Sequence, residues 1–167
     1  TISPRVFANN NLFVQTEYRQ VYEKSNLITD FSINKKGSFN SHFFSTLSSD
    51  FDDSFYQVKI ETATGKDYLK KYQIQSPLVK SNSVLNSSVS FNKYTDDFSF
   101  SSSIEIIEDL SKSDSDKYEY ILPTYEFNTD TYLNESLFDS LSISSSGNFR
   151  KYDTNKDEFD VINDFKL

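Results

Sequence analysis

The side chains that could carry out chemistry are few and widely spaced in this sequence. It contains one histidine, His42, and no cysteine, so a disulfide, a thiolate zinc site and a cysteine nucleophile are all excluded. No nucleophile lies beside His42 on the strand face predicted for it, and the acidic residues are too scattered to define a catalytic carboxylate pair. We therefore predict no enzyme activity, no catalytic residue and no cofactor.

One acidic segment has the spacing of a calcium-binding loop. Asp153, Asn155 and Asp157 supply oxygen ligands at alternate positions, as such loops do. However, Glu158 stands where the loop requires glycine, and no helices are predicted on either side of it. We therefore expect a solvated hairpin turn here and no metal site.

The other charged residues alternate with apolar ones, which is the pattern of a two-faced β-strand. Successive side chains of a strand point to opposite faces. Tyr56, Val58 and Ile60 therefore share one face, and Lys59 and Glu61 share the other. Alternation alone selects five charged candidates for a polar binding face: Glu17, Arg19, Lys59, Glu61 and Glu105.

The composition favours strands over helices and excludes several partners. Hydrophobic residues make up 36% of the chain, with 16 Phe and 11 Tyr, which is typical of a folded protein. The abundant Ser and Asn side chains compete for backbone hydrogen bonds and so disfavour helices. No apolar run approaches the roughly 18 residues of a transmembrane helix. The net charge of −8 excludes nucleic acid and anionic membrane surfaces, because binding to phosphates depends on Lys and Arg.

We predict an all-β fold, an antiparallel up-and-down meander of about nine long strands joined by alternating short and longer connections. The alternation lapses over about residues 63–82, which are predicted to form a loop with a short helical turn near 66–72. Phe44 breaks the alternation of its own strand. Pro123 lacks a backbone donor and predicts a bulge, a sheet edge or a strand end.

Two architectures share this pattern. Tilted strands of roughly 9 to 11 residues can cross a bilayer, and a membrane β-barrel keeps charge off its lipid face and has short turns at one rim and longer loops at the other. Six tyrosines lie near predicted strand ends, where aromatic rings meet lipid headgroups: Tyr18, Tyr22, Tyr56, Tyr94, Tyr118 and Tyr152. A soluble β-sandwich also alternates apolar with polar residues and favours aromatics in its strands. The pattern leaves both architectures open.

Four segments resemble one protein family. Thr16-Glu17-Tyr18-Arg19, followed by a turn and a second strand, and Lys66-Asp67-Tyr68-Leu69-Lys70-Lys71-Tyr72 are similar to stretches of the lipopolysaccharide-assembly outer-membrane proteins, the LptD or organic solvent tolerance family. Glu119-Tyr120-Ile121-Leu122-Pro123 resembles the family's strand entering an L-P step, and Tyr152-Asp153-Thr154-Asn155 resembles a hairpin of that family. The four segments follow the family's order and together span nearly the whole chain.

The resemblance implies that residues 1–167 are a partial outer-membrane β-barrel domain, an interior arc of a large transmembrane barrel that is incomplete at both ends. It implies a role in inserting lipopolysaccharide into the outer leaflet of the Gram-negative outer membrane. The partners would be lipopolysaccharide, outer-membrane lipid, a lumen plug lipoprotein (LptE) and a periplasmic lipopolysaccharide bridge, and the five charged candidates would face the lumen. The alternatives are another outer-membrane barrel, such as a porin or receptor, or a secreted carbohydrate-binding β-sandwich.

Overall fold

The alternating segments of the sequence form ten β-strands in the computed structural model, which describes residues 2–7, 11–36, 38–131, 141–152 and 156–166. The strands follow one another across a single sheet, each antiparallel to the next, which confirms the predicted all-β antiparallel meander. In chain order they are β1 (Ile2–Phe7), β2 (Asn11–Val21), β3 (Ser25–Lys36), β4 (Ser38–Phe51), β5 (Ser54–Ala63), β6 (Val84–Tyr94), β7 (Phe98–Asp109), β8 (Tyr118–Thr131), β9 (Leu141–Tyr152) and β10 (Lys156–Lys166).

The sheet has one strand more than the sequence predicted, and it is open. The additional strand, β1, contains Pro4 and lies at an edge, where the missing proline N–H is tolerated. The opposite edge is β10, and within the described residues it does not pair with β1. Pro123 lies where the pairing of β8 with β9 shifts register, between Ile121 and Thr124, so of the three predicted alternatives the structure shows an irregularity within the strand.

The register keeps most of the charged residues of β2 to β10 on one face of the sheet. Residues opposite each other in neighbouring strands share a face. One cross-strand row on this face runs continuously from β2 to β10 and consists of Arg19, Ile28, Thr46, Lys59, Ser88, Glu105, Ile121, Arg150 and Glu158. We call this side of the sheet the polar face and the other side the apolar face.

The apolar face is exposed although it carries most of the large hydrophobic side chains. Its exposed members include Phe31, Phe43, Ile60, Val89 and Ile104. The register places charged residues on this face of β2 to β10 only close to strand ends, at Lys35, Lys93, Glu108, Lys151 and Asp157. The middle of the apolar face therefore presents a band without charge.

The hydrophobic core lies on the opposite side, beneath residues 64–83, which connect β5 to β6 and which we call the strap. The strap contains the helical turn α1 (Tyr68–Lys71), as predicted. Tyr68, Leu69, Tyr72 and Ile74 of the strap are buried with Phe13 and Phe44 of the sheet and with Leu85 and Leu110. Phe44 departs from the alternation because it lies on the polar face as part of this core. The predicted loop over about residues 63–82 is thus a packed segment.

The connections differ between the two ends of the sheet. The described turns at 22–24, 52–53 and 95–97 are short and lie at one end, whereas the strap and the connection 110–117 are long and lie at the other end. From β4 to β8 the described connections alternate between short and long, at 52–53, 64–83, 95–97 and 110–117, as predicted. The stretches 8–10, 37, 132–140 and 153–155 lie outside the described residues. Within the described ranges, no helix is long and apolar enough to cross a membrane.

Candidate functional site

A buried hydrogen-bonded network lies between the polar face and the strap, and we treat it as the candidate site. His42 Nδ1 is 2.6 Å from Ser32 Oγ, which is itself 2.8 Å from the hydroxyl of Tyr68 in the strap. On the other side of the ring, His42 Nε2 is 3.4 Å from Asp30 Oδ1. The imidazole is therefore held between a hydroxyl and a carboxylate, with the Phe44 ring packed 4.3 Å from it between centroids.

The prediction that His42 stands alone on its face is wrong. Ser32 and His42 are opposite each other in the β3–β4 register, ten residues apart in the sequence, and alternation within a single strand does not show which residue of the next strand lies opposite. Ser, His and Asp are the residue types of a nucleophile, base and orienting acid. Ser32 is 0% exposed and His42 is 1% exposed, so a substrate cannot reach the Ser32 hydroxyl while the strap covers it. Ser32 connects this group to the strap through the hydroxyl of Tyr68.

Two further contacts fix the strap along the strands β2 and β3. Tyr72 donates from its hydroxyl to Asn34 Oδ1 at 2.9 Å. Gln15 Nε2 lies 3.1 Å from both carboxylate oxygens of Asp30 and 3.2 Å from the backbone oxygen of Gln75. Most polar groups covered by the strap gain a partner in this way, as buried polar groups require, whereas His42 Nε2, 3.4 Å from Asp30 Oδ1, makes no hydrogen bond within the described residues.

Burial affects the ionisation of the strap. The pKa of the Tyr68 hydroxyl is raised, first because burial disfavours the phenolate and further because of Tyr72 nearby, while the hydrogen bond with Ser32 acts in the opposite direction. Tyr68 is consequently neutral in the docked strap at neutral pH, so its hydroxyl hydrogen remains available for the network.

The five charged residues predicted from alternation all lie on the polar face, in two neighbouring cross-strand rows. The structure pairs four of them within their own strands: Arg19 Nε is 2.7 Å from Glu17 Oε1, and Lys59 Nζ is 2.5 Å from Glu61 Oε1. Glu105 joins the second pair through Asn86, whose backbone N–H donates to Glu61 at 2.8 Å and whose side chain donates to Glu105 at 3.0 Å.

Sequence reasoning missed the network although it placed most of its members on the correct face. Asp30, Ser32 and His42 were assigned to polar strand faces by alternation, but nothing local shows that a distant loop covers them. The available signal was the pair of phenylalanines that break the pattern, Phe13 and Phe44, because an apolar residue on a polar face needs an apolar partner. The ion pair of Arg150 with Glu119, 2.6 Å apart on β9 and β8, was also missed.

No group of three or more His, Asp or Glu side chains among the described residues could hold a metal ion. The calcium-like segment falls partly on residues 153–155, which lie outside the described residues, while Lys156 and Asp157 begin β10.

The fold defines a class: an all-β protein built as one antiparallel meander, with an exposed apolar face and a polar face partly covered by its own strap. No protein-family model matches the chain, and no curated protein or solved structure matches it either.

Proposed function

We propose that this chain forms part of the wall of a membrane-spanning β-barrel in the Gram-negative outer membrane, with its apolar face toward lipid and its polar face toward the interior. The observation that carries the proposal is the uncharged, exposed apolar band that continues across nine strands. Soluble proteins rarely leave an apolar patch of this extent in water. A lipid environment would remove the cost of exposing it, since charge near the midplane is what a lipid face must avoid.

Strand length and aromatic placement support the same proposal. β2 to β10 contain between 10 and 14 residues each, and roughly 9 to 11 tilted residues span the hydrocarbon core. Tyr18 near the end of β2, Tyr56 near the start of β5 and Tyr118 at the start of β8 lie on the apolar face, whereas Tyr94 and Tyr152 end β6 and β9 on the polar face. In the proposed barrel, the three rings on the apolar face would lie at the level of the lipid headgroups, where tyrosine is enriched.

For the particular function, we propose lipopolysaccharide insertion of the LptD type, on the sequence resemblance of four segments in the same order. In this proposal the charged polar face, including Arg19, Lys59 and Glu105, contacts the sugar and phosphate part of lipopolysaccharide or the plug lipoprotein LptE. The strap covers the polar face near β2 to β4, so such a partner would contact the part of that face left uncovered. The task breaks no covalent bond and needs no catalytic residue.

The soluble β-sandwich alternative has less support. A sandwich buries its apolar face against a second sheet, whereas the described residues form one sheet whose covered side is the polar one. A porin or receptor barrel would have the same kind of wall. Conductance of solutes through the barrel would distinguish a porin from a lipopolysaccharide translocon.

Membrane fractionation of the full-length protein, followed by gel mobility with and without boiling, tests the proposal. We expect the protein in the outer-membrane fraction, with a mobility shift on boiling, and co-purification of a lumen plug lipoprotein. Depletion should lower the amount of newly made lipopolysaccharide at the cell surface. A soluble protein with no shift would overturn the barrel; a heat-modifiable barrel that conducts solutes and leaves surface lipopolysaccharide unchanged would overturn only the lipopolysaccharide role.

A further inference from the structure

The strap differs in charge from the rest of the chain. It carries Lys66, Lys70, Lys71 and Lys80 against Asp67, a net charge of +3, within a chain whose net charge is −8. All four lysines are exposed, while Tyr68 and Leu69 of α1 and the adjacent Tyr72 are buried in the core. An acidic sheet is thus covered by an element whose outer surface is cationic.

Two of these lysines line a cleft between the strap and the start of β4. The cleft has a volume of about 290 Å³ and is lined by Asn40, Thr64, Gly65, Lys66, Asp67, Tyr68, Lys71 and Tyr72. That volume is near the lower end of small-ligand pockets, roughly 300 Å³. Gly65 has a φ of +82°, which lets the chain turn sharply at the mouth of the cleft.

One lysine of the cleft, Lys71, belongs to α1, which is held by the buried side of the strap. Tyr68 and Tyr72, one helical turn apart, are anchored to Ser32 and Asn34, so α1 cannot rotate without breaking both hydrogen bonds. The Lys71 Nζ lies 5.7 Å from the centroid of the Tyr72 ring, within the range of a cation–π contact. A cationic group fixed in this way loses less entropy on binding an anion than a lysine on a free loop.

We propose that this cleft binds a phosphate group, with Lys66 and Lys71 as the cationic contacts. Lysine is a compact point charge suited to phosphate, and two like charges in one cleft raise the local concentration of an anion. Asp67 also lines the cleft and opposes binding, which makes the site one of modest affinity. The inference goes beyond the proposed function, since a phosphate site on the strap does not require the sheet to be part of a barrel.

The test measures binding of inorganic pyrophosphate to the purified full-length protein by titration calorimetry at low ionic strength. Replacing both Lys66→Gln and Lys71→Gln should weaken binding about tenfold or more, the loss expected for hydrogen bonds to charged groups. Lys80→Gln, on the same strap but outside the cleft, is the matched control and should bind as the unchanged protein does. Asp67→Asn should strengthen binding.

The source of the phosphate is distinguished by competition. Micelles containing phosphatidic acid, compared with micelles of phosphatidylcholine alone, should displace pyrophosphate if the ligand is a lipid headgroup and leave it bound if the ligand is a free phosphate. Resistance of the strap to proteolysis shows that each variant keeps it docked. No pyrophosphate binding, or an equal loss in Lys80→Gln, would overturn the site, whereas the mobility shift on boiling reports the barrel independently.

Discussion

The two faces of this sheet reverse the arrangement of a soluble β-protein. Phe43 and Phe44 are neighbours on β4, yet Phe43 lies exposed on the apolar face and Phe44 is buried on the polar face. The difference comes from what covers each face: the strap packs on the polar side, and nothing in the described residues packs on the apolar side. The hydrophobic core of the described residues thus lies on the same side of the sheet as most of the charged residues.

This contrast shows that two kinds of force act on opposite sides of one sheet. On the polar face, apolar burial by the strap is combined with hydrogen bonds among Ser32, His42 and Tyr68, so position depends on specific partners. On the apolar face, contacts form between neighbouring side chains of the sheet itself, such as Thr29 with Ser45 and Tyr56 with Phe91, and no other element of the described residues covers them. Substitutions should therefore act differently on the two faces.

The largest effect is expected from a cavity beneath the strap. Leu69 is fully buried, and Leu69→Ala should cost about 2–5 kcal/mol, the range for truncating a core leucine. The strap should then detach, which limited proteolysis between residues 64 and 83 would detect. Lys70→Ala, at an exposed neighbouring position, serves as the control and should leave cleavage unchanged.

A charge placed on the apolar face is expected to have the next largest effect. Val89 lies in the middle of β6 and is 53% exposed, and Val89→Arg should cost about 2–4 kcal/mol if this face meets the centre of a bilayer. The matched change Ser90→Arg places the same side chain on the polar face. We expect the fraction of heat-modifiable protein to fall for Val89→Arg only. Equal effects of the two changes would argue that both faces meet water.

Removing one hydroxyl from the network should have a smaller effect. Tyr68→Phe keeps the ring in the core but removes its hydrogen bond with Ser32, which should cost about 1 kcal/mol. Protection of the strap from hydrogen exchange would measure the loss. Tyr94→Phe, at an exposed strand end, is the control. If it lowers the protection of the strap by the same amount, the hydrogen bond between Tyr68 and Ser32 does not hold the strap.

The smallest effect should appear in alkaline solution. The pKa of Tyr68 is raised by burial, so docking favours the neutral hydroxyl. This stabilisation is fully present below the ordinary tyrosine pKa of about 10 and is lost as the pH rises through the raised value. Protection of the strap from hydrogen exchange should therefore decline in the unchanged protein as the pH rises through the raised pKa of Tyr68. If Tyr68→Phe declines equally over the same range, another group is responsible.

The sheet could be predicted from the sequence because its main signal is local. Alternation placed Lys59 and Glu61 opposite Val58 and Ile60, and each strand carries its own copy of that signal. The pairing order also followed from connections between consecutive strands. β1 was missed because Pro4 interrupts a short run that pairs only at an edge.

The docking of the strap could not be predicted in the same way, because its contacts join residues far apart in the chain. Gln15 contacts the backbone of Gln75, and Tyr68 contacts Ser32. Phe44 indicated that something apolar must cover the polar face, but the sequence did not indicate which segment does so. Alternation determines the face a residue lies on, and only tertiary packing determines its neighbour there.

The central claim, that the apolar face meets lipid, is tested most directly by single cysteines on adjacent residues. The sequence contains no cysteine, so Val89→Cys and Ser90→Cys each provide one reactive thiol, on opposite faces of β6. In intact membranes, a water-soluble maleimide should label Ser90→Cys and leave Val89→Cys unlabelled, and both should react after denaturation. Labelling of Val89→Cys as readily as Ser90→Cys in the intact membrane would contradict the account.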